Sequence, residues 1–268
     1  MLCTRRALLF ASVVWPRFSQ GGTAVLLCVK DRGTVFIQNA EAARREVLPP
    51  GSTVKPLSLL ALIAAGKLAD RDEFVCPQTL ILNGRKLACS HPVGLPPMNV
   101  SRAIAYSCNC TVAHWALRFA PGELDAALLR AGLGPPLGYV RRNLTGADCQ
   151  LQAIGAEGVE VTPLQMVQAY RRLALRSAEP SFQPILEGLQ GAVEYGTAQR
   201  AQLHRIRVAG KTGTTLGSNG AHAAWFAGFA PSRSPEVAVV ALVQGRSGGG
   251  DAAPIAGQLL RTYFGERA

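Results

Sequence analysis

The spacing of apolar and polar positions predicts strands at both ends of the chain and helices between them. Residues 23–29 and 34–39 read as two strands joined by the Asp31-Arg32-Gly33 turn. A charged stretch, 41–46, runs into Pro49-Pro50-Gly51, which forces a sharp turn into a helix starting near Ser52. Leu57, Leu60, Ala61 and Ala64 spread over much of that helix, which predicts burial. Residues 67–98 are rich in turn signals, with a hairpin at 79–87 around Asn83-Gly84. A short helix at 99–106 is broken by Ser107-Cys108-Asn109, and helices follow at 111–119 and 122–131. Thr162-Pro163 starts a helix toward Leu175, with a cap followed by proline at the first helical position. Another helix spans 184–195. Strands at 206–215, 221–230 and 236–243, joined by short turns, form an antiparallel meander. The Gly248-Gly249-Gly250 run leads to a last helix at 254–264.

The expected fold is of the mixed α/β class, α+β in type. One antiparallel five-stranded sheet pairs the N- and C-terminal strands. The last helix covers one face, and the middle helices form a subdomain on the other. No internal repeat or dividing linker is legible, so residues 21–268 read as one domain behind a segment at 1–20.

Composition narrows the function classes. The 268 residues are 48% hydrophobic and 17% charged, a globular balance. The net charge of +11 raises nucleic acid as a partner. No aromatic-studded basic strand, recognition helix or zinc spacing supports it, so no nucleic-acid partner is expected. The basic pairs Arg5-Arg6, Arg44-Arg45, Arg141-Arg142 and Arg171-Arg172 read as solvated surface. At the N-terminus, Arg5-Arg6 followed by a short apolar run to Trp15 reads as an export signal, which implies an extracytoplasmic or periplasmic location. The run is too short to span a membrane. The alternative is a first helix of a cytosolic domain.

Seven cysteines lack Cys-x-x-Cys spacing. Cys76 and Cys89 flank the 79–87 hairpin; they read equally as a disulfide or as two buried small hydrophobes. Cys108 and Cys110 read as packing residues. His91, His114, His204 and His222 share no spacing and read as structural, His114 as a core residue on an apolar helix. No metal and no cofactor is expected.

Lysine is scarce, and two of the five, Lys55 and Lys211, fall inside polar clusters. In Ser52-Thr53-Val54-Lys55, residues i and i+3 share a helical face, so the Lys55 amine can reach the Ser52 hydroxyl. A hydroxyl nucleophile needs such a base. Partial desolvation near another cation would hold the amine neutral. Ser-x-x-Lys alone is a weak signal, and Ser52 alone reads as a helix cap. With Ser107-Cys108-Asn109 and Lys211-Thr212-Gly213-Thr214, in that order, it becomes the signature set of penicillin-recognising serine enzymes.

The chain resembles the transpeptidase domain of penicillin-binding proteins, nearest the monofunctional class B kind. The resemblance covers roughly residues 23–266. It includes Val161-Thr162-Pro163-Leu164-Gln165-Met166, Tyr195-Gly196-Thr197-Ala198 and Ala224-Trp225-Phe226-Ala227-Gly228-Phe229-Ala230-Pro231. Such enzymes usually carry a membrane anchor and a pedestal domain, neither of which is legible here. That implies a minimal, accessory or partner-dependent version.

The resemblance implies that Ser52 forms an acyl-enzyme and that Lys55 takes its proton. Ser107 would relay a proton to the leaving amine, and Asn109 would steady Lys55 and the substrate. Lys211 would add positive potential. The Thr212 and Thr214 hydroxyls would hold the substrate carboxylate, and Gly213 would keep the substrate strand uncrowded. The backbone N–H groups of Ser52 and Thr214 would form the oxyanion hole. The implied substrates are peptidoglycan stem peptides ending in D-Ala-D-Ala, with β-lactams as mimics and cell-wall synthesis or division proteins as partners. Rival readings are a DD-carboxypeptidase, a β-lactamase or a non-catalytic penicillin sensor. No Glu-x-x-Leu-Asn pattern supports the lactamase. Glu157 reads as loop surface rather than a deacylating base.

Overall fold

A computed structural model describes Trp15, residues 22–216 and residues 220–266. The segment read as an export signal lies outside the described residues, apart from Trp15. So does most of the turn at 217–220.

Strands β1 (Thr23–Cys28) and β2 (Thr34–Gln38) pair as a hairpin. Near the C-terminus, β7 (Ala209–Leu216), β8 (His222–Ala230) and β9 (Val237–Gln244) form the meander. All five make one antiparallel sheet in the order β2-β1-β9-β8-β7. Pairing of β1 with β9 closes the two ends of the chain on each other.

The two-residue period of a strand sorts its side chains to opposite faces. Ala24 and Leu26 of β1, with Val239 and Ala241 of β9, pack into the layer of the last helix, α9 (Ala253–Phe264). Val25 and Leu27, with Ala238 and Val240, face the middle helices. Both faces are covered, so these strands read as apolar runs without alternation. Trp115, Trp225 and Phe226 are core residues, as their setting in the sequence suggests.

The middle layer holds α2 (Lys55–Ala64), α3 (Val100–Ala105), α4 (Asn109–Ala116) and α5 (Glu123–Arg130). It also holds α7 (Pro163–Leu175) and α8 (Gln183–Glu194). Thr162 and Gln165 exchange hydrogen bonds with each other's backbone in a capping box, which fixes where α7 begins. A separate hairpin, β3 (Thr79–Leu82) with β4 (Arg85–Ala88), turns at Asn83-Gly84 as predicted. Among the described residues, no helix is long and apolar enough to cross a membrane.

Several expectations need correction. The charged stretch is a helix, α1 (Ala40–Arg45), with Glu41 and Arg45 paired one turn apart at 3.0 Å. Helix α6 (Gly146–Ile154) and the short pair β5 (Tyr139–Val140) and β6 (Val159–Glu160) add to the predicted elements. Arg171 is buried, not solvated; its guanidinium donates to the carbonyls of Cys28 and Lys30 at the end of β1. His114 is exposed on α4 and stacks on Phe74 instead of entering the core.

Candidate active site

The Ser52 turn is held from four sides. Residues Gly51–Val54 form one tight 3₁₀ turn, and α2 begins at Lys55. In a three-residue period Ser52 and Lys55 stand on the same side of the turn. Thr53 Oγ1 donates to Pro50 O at 2.7 Å, and Gly51 N to Gly155 O at 3.1 Å. Trp225 Nε1 donates to Pro49 O at 3.1 Å, and Tyr170 Oη to Thr53 O at 2.8 Å. Gly51 has φ +53, and a Cβ there would meet Thr214 O at 2.9 Å. Only glycine suits both demands.

The second cluster sits in a helix end. After α3, Ser107 N donates to Ile104 O at 3.1 Å and Cys108 N to Ala103 O at 2.9 Å. This is a Schellman closure, whose left-handed position usually takes glycine. Ser107 occupies it with φ +57. A side chain tolerated at that cost marks a position where the hydroxyl is wanted. Cys108 then caps α4, its sulfur accepting from Thr111 N.

The third cluster lies on the edge strand β7. Its approach to the Ser52 turn is close: a Cβ on Gly213 would come within 2.6 Å of Pro50 O. Gly213 is therefore required by packing against the Ser52 turn. Crowding of a substrate strand is not needed to explain it.

The three clusters meet in one cleft of about 380 Å³, lined by Ser52, Ser107, Asn109, Thr212, Gly213 and Thr214, among others. Lys55 and Lys211 lie fully buried beneath it. Lys55 Nζ donates to Asn109 Oδ1 at 2.6 Å, to Ser107 O at 2.7 Å and to Ser107 Oγ at 3.4 Å. These bonds tie the amine to the second cluster, whereas the sequence spacing pointed it at Ser52. Catalytic hydrogen bonds often tighten only once substrate binds. Burial pulls the Lys55 amine down to about 8, opposed first by Cys108 and then by Cys89. Lys211 is pushed well below the usual lysine range, first by burial and then by the charge of Lys55. Its Nζ donates to Thr212 O at 3.1 Å. Two ammonium groups so close and so dry favour a state in which one amine is neutral.

Thr212 Oγ1 donates to Thr197 Oγ1 at 2.7 Å. Thr214 Oγ1 accepts from Gly248 N at 3.1 Å, which leaves its own proton for a ligand. Thr197, Ser90 and Ser247 also line the cleft, and the sequence reading gave them no role. Only Thr197 carried a signal, its place in the Tyr195–Ala198 stretch. Glu157 is half-exposed, pairs with Arg85 and is not among the residues that line the cleft. Cys76 and Cys89 are unbonded, with sulfurs 3.7 Å apart, so the disulfide reading is not met.

A buried lysine pair thus lies under a serine-bearing turn, beside an edge strand. The family profile of the penicillin binding protein transpeptidase domain matches residues 22–261, and the chain belongs to that family. It is 27% identical over 263 residues to the peptidoglycan D,D-transpeptidase PbpA of Mycolicibacterium smegmatis, covering 78% of this chain and 54% of that one. A probable peptidoglycan D,D-transpeptidase, PbpC of Pseudomonas aeruginosa, is 22% identical over 74% of this chain and 41% of its own length. The chain thus spans about half the length of these relatives. In fold it matches the transpeptidase domain of Burkholderia pseudomallei penicillin-binding protein 3, with TM-score 0.81 and 19% identity over 97% of this chain and 91% of that one. Pseudomonas aeruginosa PBP2, solved in complex with WCK 5153, superposes with TM-score 0.80 and 21% identity over 98% of this chain and 76% of that one.

Proposed function

We propose that the protein is a peptidoglycan D,D-transpeptidase working through an acyl-enzyme on Ser52. The observation that carries this reading is the convergence of Ser52, the Lys55–Ser107–Asn109 network and the 212–214 strand on one cleft. Neutral Lys55 takes the Ser52 proton as Oγ attacks the carbonyl of the penultimate D-Ala. The backbone N–H groups of Ser52 and Thr214 receive the developing oxyanion; losing one such donor costs about 3–4 kcal/mol. As the C–N bond to the terminal D-Ala breaks, the proton passes from Lys55 through Ser107 Oγ to the leaving amine. An amine from a second stem peptide then attacks the ester, the proton path runs in reverse, and Ser52 is regenerated.

Lys211, in its protonated form, supplies positive potential behind the strand. Thr212 and Thr214 hold the terminal carboxylate, with the Thr214 hydroxyl oriented by Gly248 N–H. β-Lactams acylate the same serine. Such chemistry belongs on the outer, periplasmic side of the inner membrane, alongside cell-wall synthesis or division proteins.

The test is turnover of a synthetic stem pentapeptide ending in D-Ala-D-Ala, with and without an added amine acceptor. The expected result is D-Ala release together with an acceptor-linked product, both lost in Ser52→Ala. Release with hydrolysed product alone would make the protein a carboxypeptidase, and no release would remove the reading.

A further inference from the structure

Next to the cleft, chain segments that are remote in sequence bring together sulfur and imidazole. Cys76 precedes β3, Cys89 follows β4, and His91 lies two residues on. Cys108 and Cys110 flank Asn109 at the start of α4. One ligand atom from each of Cys76, Cys89, His91 and Cys108 lies within 4.8 Å of the other three. The Cys89 sulfur is 3.7 Å from Cys76, 3.8 Å from Cys108 and 3.5 Å from Cys110. Zinc–sulfur bonds of about 2.3 Å at tetrahedral angles place two sulfurs about 3.8 Å apart. The sulfurs thus stand near the separation of two ligands on one tetrahedral ion.

A second observation is independent of the sulfurs. His91 is 7% exposed, and its Nε2 is buried with no hydrogen-bond partner. Its Nδ1 lies 3.0 Å from Pro92 O. The Gln78 side-chain amide nitrogen also lies 3.3 Å from Nδ1. In the tautomer that donates Nδ1–H to the Pro92 carbonyl, Nε2 keeps a lone pair. A metal-bound histidine has this arrangement, with its far N–H anchored on a carbonyl. A buried acceptor without a donor is otherwise costly. Backbone amides also point at two of the sulfurs: Gln78 N at Cys76 Sγ, 3.3 Å, and Thr111 N at Cys108 Sγ, 3.4 Å. Such donors suit thiolates holding a cation.

We infer that Cys76, Cys89, Cys108 and His91 Nε2 form a tetrahedral site for a thiophilic divalent cation, zinc. This replaces the expectation of no metal. Binding releases three thiol protons to solvent and leaves three thiolates and a neutral imidazole around the ion, net charge −1. Cys110 stays outside the ligand set and gives the bound Cys89 sulfur a hydrogen-bonding neighbour. The site is structural, because all four positions are filled by protein. It cross-links the base of the β3–β4 hairpin to the turn that carries Ser107 and Asn109. Asn109 Nδ2 already donates to Ala88 O across the same seam at 3.3 Å. The ion thereby acts as a positioning element for one wall of the cleft.

The test needs no turnover. The full chain is reduced, loaded with zinc, desalted and analysed by elemental mass spectrometry. About one zinc per chain is expected. Cobalt loading is expected to give sulfur-to-cobalt charge transfer and tetrahedral d–d bands. Cys76→Ser and His91→Ala should each weaken zinc binding by more than the about 10–100-fold typical of an outer-shell loss, and Cys110→Ser by no more than that. A wild-type chain that remains metal-free after loading overturns the inference, whether its cysteines are free thiols or a Cys76–Cys89 disulfide. Iron retained in preference to zinc overturns the choice of cation. Wild-type affinity in His91→Ala with loss in Cys110→Ser overturns the ligand set.

Discussion

Lys55 Nζ lies 2.6 Å from Asn109 Oδ1, although the two residues stand 54 positions apart. The amide can accept from the amine but adds no charge, so the amine is oriented without being forced to stay protonated. Asn109→Asp changes that balance at nearly constant shape. A carboxylate at the same distance favours the ammonium form and is expected to move the pH midpoint of acylation up by about one to three pH units. A pH profile of β-lactam acylation checks this, and an unmoved midpoint would separate Asn109 from control of Lys55.

Acylation by wild-type protein is expected to rise with pH. In the proposed reaction the base is the neutral amine, and burial brings Lys55 down to about 8. Below that pH the amine is protonated and cannot take the Ser52 proton. Above it the rate constant should level off. Stopped-flow measurement of acylation across this midpoint checks the sign; a rate falling with rising pH would contradict it.

Ser107→Gly separates chemistry from fold. At φ +57 glycine is at ease, so the Schellman closure persists and the thermal midpoint should hold or rise. Loss of the hydroxyl removes the proposed proton relay, and turnover should fall about 10²–10⁴-fold. Calorimetry and D-Ala release on one preparation give both numbers.

Gly213→Ala tests how closely β7 lies against the nucleophile turn. The added Cβ would stand 2.6 Å from Pro50 O, which is backbone and cannot turn aside. Overpacking of this kind costs about 1–3 kcal/mol. Urea denaturation should show that loss, together with slowed acylation as the turn shifts.

Much of this arrangement was legible because local signals agreed with the global fold. Thr162-Pro163 with Gln165 wrote the start of α7, and Asn83-Gly84 wrote the β3–β4 turn. The strands that pack on both faces announced themselves as apolar runs. What escaped depended on partners far along the chain. Helix α6 carries Gln150 and Gln152 at buried positions, which broke its apolar period. Their amides donate to Ala113 O, Arg141 O and Gly158 O. Arg171 looked like surface because the carbonyls it serves belong to β1 and the residues just after it. The cysteine–histidine cluster was invisible for a like reason. Its members come from a hairpin base and a helix cap, and no fixed spacing joins them.

The decisive observable is the atom that a β-lactam acylates. Wild-type protein and Ser52→Ala are incubated with a fluorescent penicillin, and intact mass is followed over hours before peptide mapping. A single lasting adduct on Ser52 is expected in the wild type and none in the variant. Equal labelling of Ser52→Ala, or an unlabelled wild-type protein, would contradict it.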